Sequence, residues 1–174
     1  MICNLNSKII EENEEYNKIL KTWINPSKKI KAELLYRLSE NGDKFSTFHE
    51  LCDNKGPTLT LFHVNDGKKV GIYTPLSWDS KSYWKNDMET FIFNLNKNQN
   101  YKKLQSDYSA LCWSSAGPYT VNFGCASVNL MKSIVLAGYG INEFYDKGSE
   151  ILPINKQEKY YDLLEIEVYK IIIE

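Results

Sequence analysis

The chain has 174 residues, with 21 Lys and Arg against 22 Asp and Glu, for a formal charge of −1. That balance excludes the broad basic surface on which phosphate-backbone binding depends. The length fits one domain. With 43% apolar residues, a chain of this size buries roughly 70% of its unfolded surface and needs no metal or disulfide to hold together.

At the N-terminus MICNLNSKII runs into the acidic EENEE, so the charged region and apolar stretch of a secretory leader are not expected. Cys3, Cys52, Cys112 and Cys125 have no regular spacing. Without a leader they read as reduced thiols, and the expected compartment is the cytoplasm. No apolar run approaches the roughly 20 residues of a membrane helix.

Within residues 8–24, Tyr16, Ile19, Leu20, Trp23 and Ile24 form a narrow stripe at helical spacing, ended by Asn25-Pro26. Proline pushes its predecessor out of the helical region. Residues 1–26 are therefore expected as an N-terminal helix and 27–174 as the main domain. The stretch AELLYRLSENG, 32–42, suits a strand or a helix. In FSTFHELCD, Thr47 followed by Glu50 is a capping-box pattern, predicting a short helix from about Phe48 to Cys52.

Gly56-Pro57 then makes a corner, since glycine takes positive φ and proline is tolerated at the first residue of a strand. It delivers the chain into the strand TLTLFHV. Asn65-Asp66-Gly67 is a hairpin signal leading into KKVGIYT. ETFIFNL, the turn NKNQN, YKKLQ and YSALCW continue the rhythm of strand and turn. In the terminal LLEIEVYKIII, Leu164, Ile166 and Val168 alternate with Glu165 and Glu167, the pattern of a half-buried strand with its carboxylates outward. Six or more short strands predict a mainly β, α+β fold: a two-sheet antiparallel β-sandwich with flanking helices.

The chemistry-bearing residues are few. On a helix His49 and Cys52 stand at i and i+3, the proximity a Cys–His nucleophile needs. Cys52 falls at the helix C-terminus, however, where the dipole opposes a thiolate. A packed cysteine beside a hydrogen-bonded histidine is the better reading. A peroxide-reactive or hydrolytic thiol at Cys52 or Cys125 is the competing one. Two histidines and cysteines without close pairing do not make a zinc site. Lys55-Gly56-Pro57-Thr58 lacks the glycine and amide donors of a phosphate loop. No catalytic residue, cofactor or metal ligand is therefore assigned. The connection of about 14 residues between the strands ending near Thr74 and starting near Glu89 carries Trp78, Tyr83 and Trp84. Structureless loops of ~12–15 residues are often functional, and aromatic anchors favour interfaces. These three residues form a candidate partner surface, or alternatively the stacking face of a small-ligand or carbohydrate-binding sandwich.

Together, FHELCDNKGPTLTLF, GIYTPLSWDS, ETFIFNL and LLEIEVYKI resemble the TLDc domain of the oxidation-resistance proteins, in its stand-alone protist form. The preceding ELLYRLSENGDKFS fits that family's opening, so the resemblance covers roughly residues 32–174. It implies two antiparallel sheets with flanking helices and a non-enzymatic role in oxidative-stress resistance. It also implies a protein partner, the vacuolar-type proton ATPase, whose assembly such domains modulate. The motif residues Phe48, His49, Cys52, Asp53, Gly56, Pro57, Gly71 and Trp78 are structural in this reading. The chain departs from the family's Gly-Pro-x-Phe-Gly-like element. Here Tyr-Thr-Val-Asn separates Gly117-Pro118 from Phe123-Gly124, and Cys125-Ala126-Ser127 stands where an acid is expected.

Overall fold

A computed structural model describes residues 1–11, 13–125, 131–136, 140–153 and 159–174. Helix α1, Glu14–Ile24, starts where the Asn13 side chain accepts from the amides of Glu15 and Tyr16. It stops at the predicted Asn25-Pro26 boundary. The ambiguous segment 32–42 is both things in turn: strand β1, Ile30–Arg37, then the single helical turn α2, Leu38–Asn41. Helix α3, Phe45–Cys52, begins three residues earlier than predicted. Its N-cap is Lys44, without a side-chain bond, and Thr47 lies inside the first turn, so the capping box is not formed.

Strands β2 (Thr58–Val64) and β3 (Lys69–Thr74) make the predicted hairpin. The remaining strands are β4 (Tyr83–Lys85), β5 (Phe91–Asn94), β6 (Gln99–Lys102), β7 (Ala110–Cys112), β8 (Tyr119–Thr120), β9 (Phe123–Gly124) and β10 (Ser133–Leu136). The one-turn helix α4, Ile141–Phe144, precedes the 15-residue strand β11, Lys159–Ile173.

The class is mainly antiparallel β, as expected, but the two expected sheets are joined through one strand. Pairing runs β6-β5-β3-β2-β11-β10-β9-β8, with β1 also on β11. At ~3.3 Å per residue, β11 is long enough to take β10 along residues 159–162 and β1 along 167–173 on one edge. The β10-β9-β8 branch folds back over the main sheet, bringing Phe123 of β9 edge-on to Phe62 of β2 at 5.9 Å. Among the described residues, only β4 and β7 form a separate two-stranded ribbon.

Each face of the main sheet buries a core. On one, Phe62, Val64, Ile72, Ile166 and Val168 pack under α3, the folded-back branch and the α4 region. On the other, Leu59, Leu61, Phe93, Tyr169 and Ile171 lie under Ile9, Ile10 and Leu20 of the N-terminal segment, with Ile19 and Trp23 of α1 half-buried against them. Helix α1 therefore docks on its own sheet. Each large side chain so buried stabilises by roughly 1.5–3 kcal/mol.

That second layer corrects the reading of the last strand. Leu164 is exposed, while Glu165 is buried and Glu167 has no exposure at all. The register slips between Leu163 and Glu165 against β2, and the N-terminal segment then covers the face on which Glu167 lies. Arg37 Nε donates to Glu167 Oε1 at 2.9 Å, as does the Lys8 amide at 2.9 Å. The Ser7 hydroxyl donates to the other oxygen, and the Tyr169 hydroxyl shares its one proton between that oxygen, at 3.2 Å, and the Asn6 carbonyl, at 3.0 Å. A buried carboxylate persists only when so compensated.

The departure at Gly117–Gly124 becomes a tight hairpin in which Tyr119 pairs with Gly124 and Thr120 with Phe123. Gly117 and Cys125 close it through a bond from the Gly117 amide to the Cys125 carbonyl, 2.9 Å. The interposed four residues thus bring the separated halves of the element back together. Ala126 and Ser127, expected in place of an acid, lie outside the described residues.

Candidate interaction surface

The motif around α3 forms a buried joint. Phe48, Cys52 and Trp78 are fully buried. Phe48 meets the rings of Tyr36 and Trp78 edge-on, both at 6.1 Å. The Trp78 indole donates to Thr58 Oγ1 at 3.0 Å, and its carbonyl accepts from the Asn54 amide at 2.9 Å. Gly56 has φ +85°, and its amide donates to Ser77 Oγ at 2.9 Å. The Pro57 carbonyl accepts from Ile171 at 2.8 Å, which ties the corner to β11. Gly71 lies where any Cβ would collide with the Thr60 carbonyl and the Phe93 ring.

His49 faces acceptors on both sides. Its Nδ1 lies 2.7 Å from Asp53 Oδ1, and its Nε2 lies 2.8 Å from the Trp113 carbonyl and 2.9 Å from that of Ala116. Ser80 donates to the second Asp53 oxygen at 2.9 Å. The three side chains run His–Asp–Ser, with the carboxylate in the middle. The hydroxyl is therefore not on the imidazole, as a nucleophilic relay needs. Neither ring nitrogen is on Cys52, because both are occupied by oxygen. Burial, with the nearby Asp53 charge, pushes the Cys52 thiol up, against a weaker pull from Lys55; burial alone pushes up Cys125. Both shifts favour the protonated thiol over the nucleophilic thiolate. Among the described residues no group of three His, Cys, Asp or Glu converges on a common point.

Trp78 belongs to this joint and is not a partner-surface residue. The candidate trio of Trp78, Tyr83 and Trp84 is thus corrected: its first member fills the core beneath α3, where the indole finds a hydrogen-bond partner. The stacking face required for a carbohydrate site goes with it. Tyr83 and Trp84 are neighbours on β4 and project to opposite sides, as strand residues do. The Tyr83 hydroxyl bonds Asp79 at 3.1 Å, with Lys85 Nζ 5.8 Å from its ring centroid.

Trp84 instead joins three rings that are distant in sequence. Tyr108 meets it edge-on at 5.3 Å, and Tyr119 lies tilted against it, by 47°, at 5.9 Å. Tyr108 in turn packs on Phe144 at 5.7 Å. Leu104, whose amide donates to the Phe144 carbonyl, adds an aliphatic side chain. Tyr108 is 43% exposed and Leu104 54%, so these residues form a surface ridge with Trp84 over β4, β7, β8 and α4. Lys103 lies beneath it with its ammonium 5.5 Å from the Phe144 centroid and 5.2 Å from that of Tyr145. Burial lowers Lys103 to about 8, with Asp87 and Asp107 opposing the drop. Sequence reasoning found Trp84 and Tyr83 but not Tyr108, Tyr119, Phe144 or Leu104. Their only signal in the chain is an apolar residue set among polar neighbours, as in QSDYSA.

The model of the TLDc domain family matches residues 4–172, nearly the whole chain and including α1. No curated protein matches it. No helix among the described residues is long and apolar enough to cross a membrane.

Proposed function

The chain belongs to the TLDc domain family, and on that premise we propose that it is a non-catalytic interaction domain supporting oxidative-stress resistance by binding and modulating the vacuolar-type proton ATPase. TLDc domains are protein-interaction domains of the oxidation-resistance family. The observation that carries the reading is the ridge of Trp84, Tyr108, Tyr119 and Phe144. Clustered aromatic side chains with partial exposure supply large contact area at low entropic cost, which is why they dominate interface energetics. The buried thiols and the oxygen-bound His49 support a scaffold role for the family motif rather than a chemical one.

The test is affinity capture from cell extract. The wild-type chain should enrich peripheral-stalk subunits of the pump, and Trp84→Ala with Tyr108→Ala should lose at least tenfold of that enrichment, about 1.4 kcal/mol of affinity. Failure of the wild type to enrich those subunits over a control β-sandwich refutes the pump assignment. Enrichment that survives the double substitution refutes the ridge.

A further inference from the structure

A second site lies on the opposite face of the main sheet, apart from the ridge. The C-terminal turn of α1 overhangs β3 and β5, leaving a cleft of about 300 Å³ lined by Trp23, Tyr73, Phe91, Glu89 and Lys102. That is the small end of the range for ligand sites, matched to one side chain rather than a cofactor.

Three observations give the cleft a chemistry. First, it has aromatic walls: Tyr73 and Phe91 stand 5.2 Å apart at 31°, and Trp23 is braced on Phe93 at 5.8 Å. Second, Tyr73 is only 4% exposed and lines the cleft, and its hydroxyl makes no hydrogen bond among the described residues. Third, Glu89 is exposed and its carboxylate has no ion pair or side-chain hydrogen bond among the described residues. Burial and the nearby Glu89 and Asp87 charges push the Tyr73 phenol up to about 12, so it remains a neutral oxygen.

We infer that this cleft takes an arginine side chain from a partner protein. A guanidinium stacks flat on aromatic rings while its fork of N–H groups bonds a carboxylate. Here the stacking ring is Trp23, with Tyr73 and Phe91 as the cleft floor, the carboxylate is Glu89, and the Tyr73 oxygen accepts a further N–H. The α1 C-terminus adds the negative end of its dipole, though Lys21 Nζ already takes the Pro26 carbonyl at 2.7 Å. Glu89 is therefore the principal charge. Lys102, on the far wall, opposes a bare cation. It donates instead to the main-chain carbonyls of the segment carrying the arginine, which favours a peptide over a small cation.

The experiment titrates the full chain with Nα-acetyl-arginine N-methylamide and follows the Trp23 indole N–H signal by NMR. A saturable shift at millimolar concentration is expected, with none from the citrulline analogue, which keeps the shape and lacks the charge. Glu89→Gln, an exposed and isosteric change, should weaken binding about tenfold or more, the scale of a charge-assisted pair. Tyr73→Phe should weaken it by a smaller factor with the walls intact. Trp84→Ala, on the ridge, should leave the titration unchanged, so this site stands or falls independently of the pump assignment. No saturable shift, an equal response to citrulline or to the lysine analogue, or undiminished binding to Glu89→Gln overturns the inference. Tighter binding of free arginine than of the blocked form overturns the choice of a protein partner.

Discussion

The Arg37–Glu167 pair bears the sharpest prediction about what holds the N-terminal layer in place. Glu167 is fully buried and among the described residues receives the Ser7 hydroxyl, the Lys8 amide, a shared Tyr169 hydroxyl and Arg37 Nε, of which Arg37 alone is charged. Arg37 spends its other nitrogens on Glu40 Oε1 at 2.8 Å and the Asn6 carbonyl at 2.9 Å. Replacing it by Met keeps the apolar stem but leaves a buried carboxylate with neutral donors alone. Breaking a buried pair from one side costs ~3–5 kcal/mol. Because Ser7, the Lys8 amide and Tyr169 still donate, Arg37→Met should fall at the lower end, about 3 kcal/mol. That is roughly a fifth to three-fifths of the ~5–15 kcal/mol available to a domain. Glu167→Gln, which keeps an acceptor for those donors, should cost ~1–2 kcal/mol. The double variant should then be more stable than the sum predicts by ~1–2 kcal/mol, the coupling expected of contacting partners. Urea unfolding at neutral pH, followed by tryptophan fluorescence and analysed at constant m, reads all three. An Arg37→Met cost below ~1 kcal/mol, or additivity within ~0.5 kcal/mol, would refute the argument that this carboxylate depends on its arginine.

Gly71→Ala should destabilise by about 3 kcal/mol or more, because the Cβ meets the Thr60 backbone, which cannot swing aside; a urea midpoint near wild type would contradict the close approach of β2 and β3. Trp78→Ala should cost ~3–5 kcal/mol as a core cavity, whereas Trp84→Ala should cost far less and act on binding; comparable losses from both would erase the distinction between joint and ridge. Lys103 titrates near 8 when folded against 10.5 as a free side chain. Between those values the unfolded chain binds the extra proton, so this group makes stability rise with pH from about 8 to 10.5, and below 8 its cost is complete and constant. The difference in midpoint between wild type and Lys103→Met should therefore shrink steadily from pH 8 to pH 9.5, about the middle of that interval; a constant difference would show that Lys103 titrates normally.

Where signals act over a few residues, the chain could be read directly. Asn25-Pro26 ends α1, Gly56-Pro57 opens β2, and Asn65-Asp66-Gly67 turns β2 into β3, as expected. Each is a local steric preference that tertiary contacts did not override. The capping box failed for a related reason. Lys44 already occupies the start of α3, and one extra turn puts Thr47 inside the helix. The motif residues from Phe48 to Trp78 do converge, with His49 and Asp53 linking α3 to the turn at 113–116. Their convergence was not legible in the spacing, since the ring carbonyl contacts come from 64 and 67 residues away.

The sequence by itself determined the β-rich class, the family, the order of the elements and their turns, because propensity, periodicity and turn chemistry act between near neighbours. Tertiary structure alone decided which faces are covered. The alternation at Glu165 and Glu167 signals an outward face only if nothing packs there. Residues 1–24 do pack there, some 150 positions earlier in the chain, and bring Ser7, Lys8 and, through β1, Arg37 to Glu167. The same long-range packing buries Trp78, gathers the ridge around Trp84, and sets Tyr73 beside its cleft. Burial is a relation between distant segments, and no local pattern encodes it.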